Sequence, residues 1–251
     1  MSAAQPGDPT VVLVHGAFAD ASSWTNVIGA LRDAEIAVQA PPNPLRGLTL
    51  DGEYIANLVG QIAGPVVLVG HSYGGAVITY ASAKATNVAA LVFVASFGVD
   101  RGVSALGSVE GFPPTELATA LRSSPYTDGE RSGTELYIQP DRFPSVFAGD
   151  LPLRDAAVLA LRQRPVTDVA LGEPLAVEPG WRRLPSWFIV AGADHAIDPG
   201  SERAAGERMD ATLVEIEAGS HAIALSHPER VAGVIADAVA VVRDTASVPA
   251  G

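Results

Sequence analysis

Short, almost wholly apolar runs recur along this chain, and no other feature limits its possible folds so much. Residues 11–14, 36–40, 66–69, 90–94, 187–190 and 212–216 are each mostly aliphatic and closed by Gly, Pro, Ser or Ala. A run of four or five such residues with no polar alternation suits a strand buried on both faces. Between the runs lie segments of helical length and pattern: 24–33, 54–62, 74–85, 201–209 and 229–242. Uniformly apolar strands alternating with helices predict an α/β protein with a mainly parallel, doubly wound sheet covered on both sides. In such a sheet, ligands bind in the crevice at the carboxyl ends of the strands.

One interval breaks the alternation. Residues 99–183 hold no convincing buried strand and nine prolines, and their helix-like pieces, 115–121 and 153–161, are short. Phe112, Tyr126, Tyr137, Phe143, Phe147 and Trp181 give this interval too much aromatic surface for a disordered linker. It leaves the sheet after the run ending at Val94 and returns before Trp187. It is therefore expected to be a mainly helical cap over the carboxyl ends, inserted into a core made of residues 1–98 and 184–251.

Charge and composition remove several classes of function. With 28 Asp and Glu against 16 Lys and Arg, the net charge of -12 opposes a nucleic-acid or anionic-membrane partner. The absence of cysteine rules out disulfides, thiolate nucleophiles, cysteine zinc sites and iron–sulfur clusters. Lys84 is the single lysine, and its alanine-rich helical setting reads as a solvated surface charge, not a Schiff-base former. Residues 1–10 carry no basic and apolar signal pattern, so a cytoplasmic location is expected. No apolar run approaches the ~18 to 20 residues needed to cross a bilayer. No internal repeat is visible, and residues 244–251 read as a frayed tail.

The chemistry concentrates where Gly70-His71-Ser72-Tyr73-Gly74 follows the run 66–69 and opens a helix. This is a G-x-S-x-G elbow in the strand–turn–helix setting that the motif requires. Glycines around a serine in a strained turn let strand and helix approach closely, so that Oγ projects into the crevice. A serine hydroxyl needs a base, and the base needs an orienting acid. Asp194 follows the run 187–190 and His221 follows 212–216, both on the sheet edge that carries Ser72. The order Ser, Asp, His along the chain is that of α/β-hydrolases.

Each role has rivals. Asp198 precedes Pro199 and a helix, so helix N-capping explains it. Asp100 follows the run ending at Val94 and stays open as an alternative acid. His227 lies in Ser226-His227-Pro228-Glu229, which reads as a capping box. His195 reads as solvent-exposed, and His71, inside the elbow, as a packing and positioning residue. Acyl transfer also needs donors to the developing oxyanion. The backbone N–H of Ala17, in His15-Gly16-Ala17-Phe18, pairs for this purpose with that of Tyr73. Phe18 and Phe97, at strand ends, are expected to line an apolar substrate pocket together with aromatic residues of the cap.

HGAFADASSW at 15–24, NPLRGL at 43–48 and GHSYGGAVI at 70–78 resemble the small, cofactor-free α/β-hydrolases of bacteria, a group similar to plant methyl esterases and hydroxynitrile lyases. The likeness extends over essentially the whole chain. It implies an α/β-hydrolase fold with the cap inserted after the sixth strand, a serine-dependent ester hydrolase with Ser72, Asp194 and His221 as its triad, and no metal or organic cofactor. The lyase branch is disfavoured, because Ala222 stands where those lyases place a lysine and Gly16 where they place a threonine. The resulting expectation is cleavage of a small to medium, largely apolar carboxylic ester or lactone. C–C bond hydrolysis, perhydrolysis and non-catalytic small-molecule reception are alternative uses of the same fold.

Overall fold

The computed structural model describes residues 7–247. The first half alternates β1 (Thr10–Val14), α1 (Thr25–Asp33), β2 (Ala37–Gln39), α2 (Leu48–Val59), β3 (Val66–His71), α3 (Tyr73–Lys84) and β4 (Val88–Val94). Between β4 and β8 lie α4 (Leu117–Ala120), β5 (Leu121–Asp128), β6 (Arg131–Ile138), α5 (Phe143–Phe147), α6 (Leu153–Arg162), β7 (Val166–Thr167) and α7 (Asp168–Gly172). The chain then returns through β8 (Ser186–Ala191), α8 (Pro199–Arg208), β9 (Thr212–Ile216), α9 (Ile223–Ser226) and α10 (Pro228–Ser247).

The six core strands form one sheet in the order β2-β1-β3-β4-β8-β9, and every pairing in it is parallel. In the inner strands β1, β3, β4 and β8 the apolar runs work as expected, because successive side chains go to opposite faces and both faces are covered, whereas the edge strands β2 and β9 are partly exposed. Val12, Val14 and Leu68 face α2 and α3, while Val11, Leu13, Val67 and Val69 face α1 and α10. The chain leaves β1 outward to β2 and crosses back to β3 on the other side of β1. Loops leaving β1 and β3 therefore diverge, and the crevice opens between them. His15-Gly16 and Ser72 stand at this switch point.

The cap differs in detail from the sequence expectation. Its helices are short, and it also contains an antiparallel sheet in the order β5-β6-β7. Asp128 pairs with Arg131 around a two-residue turn in which Gly129 has φ +59, a backbone state suited to tight hairpins. The hairpin escapes a search for buried strands because β5 is an edge strand with mostly exposed residues, and an edge tolerates Pro125. The Asp-Gly pair was its signal. Counted over the described residues, this segment leaves after the fourth strand, β4, not the sixth.

Two further boundaries move. Helix α2 begins at Leu48, ahead of the expected residue 54, where the Asp51 carboxylate accepts the Arg46 and Gly47 amides at the helix entrance. The tail expected to fray from residue 244 continues α10 to Ser247, and residues 248–251 lie outside the described residues. Among the described residues, no helix is long and apolar enough to cross a membrane.

Candidate active site

Strand β3 ends at His71 and α3 starts at Tyr73, which leaves Ser72 alone in the turn with φ 54 and ψ -124. A non-glycine residue held there carries about 1–3 kcal/mol of strain, so its surroundings must fix it. Ser72 N donates to Val94 O at 3.1 Å, Ser96 Oγ donates to Ser72 O at 2.8 Å, and Gly75 N donates to the same carbonyl at 3.0 Å. Close approach does the rest. A Cβ on Gly16 would lie 2.6 Å from the Ser72 Cβ and 2.8 Å from His71 O, and one on Gly70 would lie 2.5 Å from Gly74 O.

His221 and Asp194 meet where the loops after β9 and β8 converge. His221 Nδ1 lies 2.6 Å from Asp194 Oδ2, with both side chains buried. The other carboxylate oxygen accepts the Ala196 and Ile197 amides at 2.6 and 2.9 Å, which fixes its plane. With Nδ1–H donated to Asp194, Nε2 is left as the basic nitrogen. The ring of Phe147 stands edge-on to His221 at 4.8 Å between centroids. On the other side, His71 Nε2 donates to His221 O at 2.8 Å. Burial pushes the His71 imidazole well below its usual range, so a neutral ring supports His221 without competing for the proton.

The turn after β1 is organised by its histidine. His15 Nδ1 donates to Gly16 O at 2.9 Å, and its Nε2 accepts the Asn43 amide at 2.9 Å. Burial lowers its pKa to about 4, so this neutral tautomer persists near pH 7. In a trans peptide the C=O and the following N–H point oppositely. Holding Gly16 O against His15 therefore turns the Ala17 N–H the other way. Tyr73 is the first residue of α3, so its N–H has no partner within the helix. Its hydroxyl donates to Asp51 Oδ2 at 2.8 Å, which pins the start of the helix.

Ala17, Ser72 and His221 border one cavity of about 300 Å³ between the sheet edge and the cap. Phe18 and Phe97 line it, as do Leu106, Val109 and Leu117 from the cap. Of the six cap aromatics, Phe112 reaches it. Contrary to expectation, Phe143 and Phe147 stack on each other behind His221, Trp181 Nε1 donates to Val99 O, and Tyr126 and Tyr137 lie under Arg46 and Arg122.

The rivals are placed elsewhere. Asp100 is held by Arg182 at 2.7 and 2.9 Å, so the structure brings Asp194 and not Asp100 to His221. Asp198 caps α8 by accepting the Ser201 amide, and its carboxyl also borders the cavity. His195 is exposed beside Glu116. The capping box expected at residues 226–229 is different: Ser226 ends α9, and its hydroxyl meets His227 Nδ1 at 2.9 Å and reaches back to Ala222 O. His227 sits 3.4 Å from Asp150. Lys84 is exposed, with its ammonium over the Tyr80 ring.

Sequence reasoning missed the residues that hold this site. Ser96 under the elbow, and Phe147 and Asp150 behind the His221 loop, have no motif of their own. Glu202, fully buried on α8, reads in sequence as an ordinary polar helix residue.

A model of the alpha/beta hydrolase family matches residues 11–234, nearly the whole chain. The chain belongs to the alpha/beta hydrolase family. This hydrolase is 27% identical over 243 residues to a pyrethroid hydrolase of Sphingobium wenxiniae, covering 90% of this chain and 86% of that one. Its fold is also that of polyneuridine aldehyde esterase, with a TM-score of 0.78 at 21% identity over 92% of this chain and 98% of the other. A methylesterase from Arabidopsis superposes with a TM-score of 0.76 at 19% identity, covering 92% of this chain and 99% of that one.

Proposed function

We propose that this hydrolase cleaves a small to medium, largely apolar carboxylic ester or lactone through an acyl-enzyme on Ser72. The carrying observation is that a strained Ser72 and a His221 buried against Asp194 border the same apolar cavity. In this reading, Ser72 Oγ attacks the carbonyl carbon while His221 Nε2 takes its proton. The amides of Ala17 and Tyr73 receive the oxyanion. Collapse of the tetrahedral intermediate breaks the acyl C–O bond, and His221 returns its proton to the departing alkoxide oxygen. Water then attacks the acyl-enzyme with His221 again as base, releasing the acid and restoring Ser72. Asp194 holds the imidazole in the required tautomer and stabilises its charged form. Residues 99–183 act as the cap that buries the apolar part of the substrate, and the Ser-Asp-His machinery belongs to the core on either side.

Relatives named as a pyrethroid hydrolase, an esterase and a methylesterase support ester chemistry over C–C cleavage. The test joins covalent labelling to turnover. A fluorophosphonate should add one phosphonyl group to Ser72, and Ser72→Ala should lose both the label and multiple turnover of p-nitrophenyl esters. Asp194→Asn should lower kcat by about 10³-fold or more, while Asp100→Asn stays near wild type. Labelling at another serine, or single turnover by the unmodified protein, would overturn the proposal.

A further inference from the structure

Behind the His221–Asp194 pair stands a second acid that the mechanism above does not use. Glu202, in the first turn of α8, is completely buried. Its Oε2 accepts the Ala191 amide at 3.0 Å, at the end of β8. Its Oε1 is also buried and meets no donor. Ala191 links the two acids, since its carbonyl accepts the Asp194 amide at 3.2 Å, and the charge of Asp194 acts on the Glu202 carboxyl.

Neighbouring buried carboxylates resist ionising together when no cation stands between them. Arg203, the next residue, is exposed and turned to Glu215 at 2.6 and 2.9 Å. Asp198, at the cap of α8, adds further negative charge to this end of the helix. Of the two acids, Asp194 has the donors: two backbone amides and the His221 ring, against one amide for Glu202. The shared proton therefore belongs on Glu202. Burial, and then the charge of Asp194, push the Glu202 carboxyl well above the usual carboxylate range. A proton on Oε1 converts a donorless buried oxygen into a donor, with Asp194 as its acceptor.

We propose that Glu202 is a positioning residue that stays protonated and donates a hydrogen bond to Asp194, extending the line Ser72, His221, Asp194 by a fourth member. This rests on the triad reading given above. The bond has two effects. It adds a further hold on the Asp194 carboxylate beside its amide donors, and it withdraws charge from that carboxylate, which moderates how strongly Asp194 favours the imidazolium form of His221.

A glutamine reproduces the donor without a titratable proton, whereas methionine fills the space without donating. Glu202→Met should lower kcat by about 10- to 100-fold, the worth of one lost charge-assisted hydrogen bond, with little change in KM. It should also move the acid limb of the kcat/KM profile to higher pH, because Asp194 then holds the imidazolium more strongly. Glu202→Gln should rescue most of that kcat and leave the acid limb where the wild type has it. Difference infrared spectroscopy at pH 7 should show a protonated carboxyl band in the wild type that is absent from Glu202→Gln, a readout independent of turnover and of folding stress in the methionine variant. Absence of that band, or an acid limb displaced to lower pH in Glu202→Gln, would mean that Glu202 is ionised and overturn the proposal. So would wild-type kcat in Glu202→Met. Failure of fluorophosphonate labelling at Ser72 would instead remove the triad reading and leave the carboxyl band to stand by itself.

Discussion

The proposed nucleophile and the proposed base are supported from different parts of the molecule. Ser72 is held by the core: by the Val94 carbonyl at the end of β4, by Ser96, and by Gly16 at the end of β1. His221 has core contacts too, from Asp194 and His71, but its chain neighbours are gripped by the cap. Ala222 N donates to Phe147 O at 2.8 Å, and Asp150 accepts both the amide and the hydroxyl of Ser220, at 3.0 and 2.5 Å. Although burial opposes it, hydrogen bonds from Ser220 and Ser226 and the charge of the nearby His227 keep the Asp150 carboxyl below its usual range. The sheet edge thus presents Ser72, while the segment between β4 and β8 also steadies the loop of His221. Substitutions in the cap should therefore reach catalysis as well as selectivity.

The largest effect should come from the core half. Gly16→Ala places a methyl group against Ser72 and His71 O, both fixed by backbone bonds, so the turn carrying the Ala17 amide must retreat. Loss of one oxyanion donor lowers kcat by about 10²- to 10³-fold, with KM much less affected. Steady-state kinetics beside circular dichroism would check this. Full activity would show that the β1 turn is not part of the support.

An intermediate effect is expected from the cap half. Asp150→Ala removes the partner of the Ser220 amide, so kcat should fall by about 10- to 100-fold and Tm should fall with it. Asp150→Asn, which keeps an acceptor oxygen, should recover part of both. Unchanged kcat in Asp150→Ala would break the contrast, since the base would then owe nothing to the cap.

The smallest effects should come from the cavity between the two halves. Each acyl methylene buried there contributes ~0.8 kcal/mol, or about fourfold in kcat/KM, until the space is full. An anionic ester of equal size should be turned over less well, because Glu110 and Asp198 border the cavity. A flat series, or preference for the anionic ester, would mean that recognition rests on polar contacts and not on the apolar lining.

The sequence by itself determined the sheet and singled out the residues laid along its edge. Six apolar runs identify six parallel strands: the four inner ones are buried on both faces and have no polar position to spare, while the edge strands β2 and β9 carry exposed residues. The elbow at Ser72 and the strand-end loops at Asp194 and His221 are legible for a related reason: strained turns and loop positions need particular residues in a fixed local order. Between Asp194 and Asp100 the sequence could only express a preference, since both follow strands of one sheet edge. Tertiary structure separated them, placing Asp194 on the His221 ring and Asp100 on Arg182. It also decided the path of the cap, whose hairpin is an exposed edge without an apolar run, and the roles of Asp150 and Glu202. Those two acids carry no local pattern. What they do depends on burial and on partners far along the chain, such as Ser220 seventy residues from Asp150, and on what α8 meets when it packs against β8.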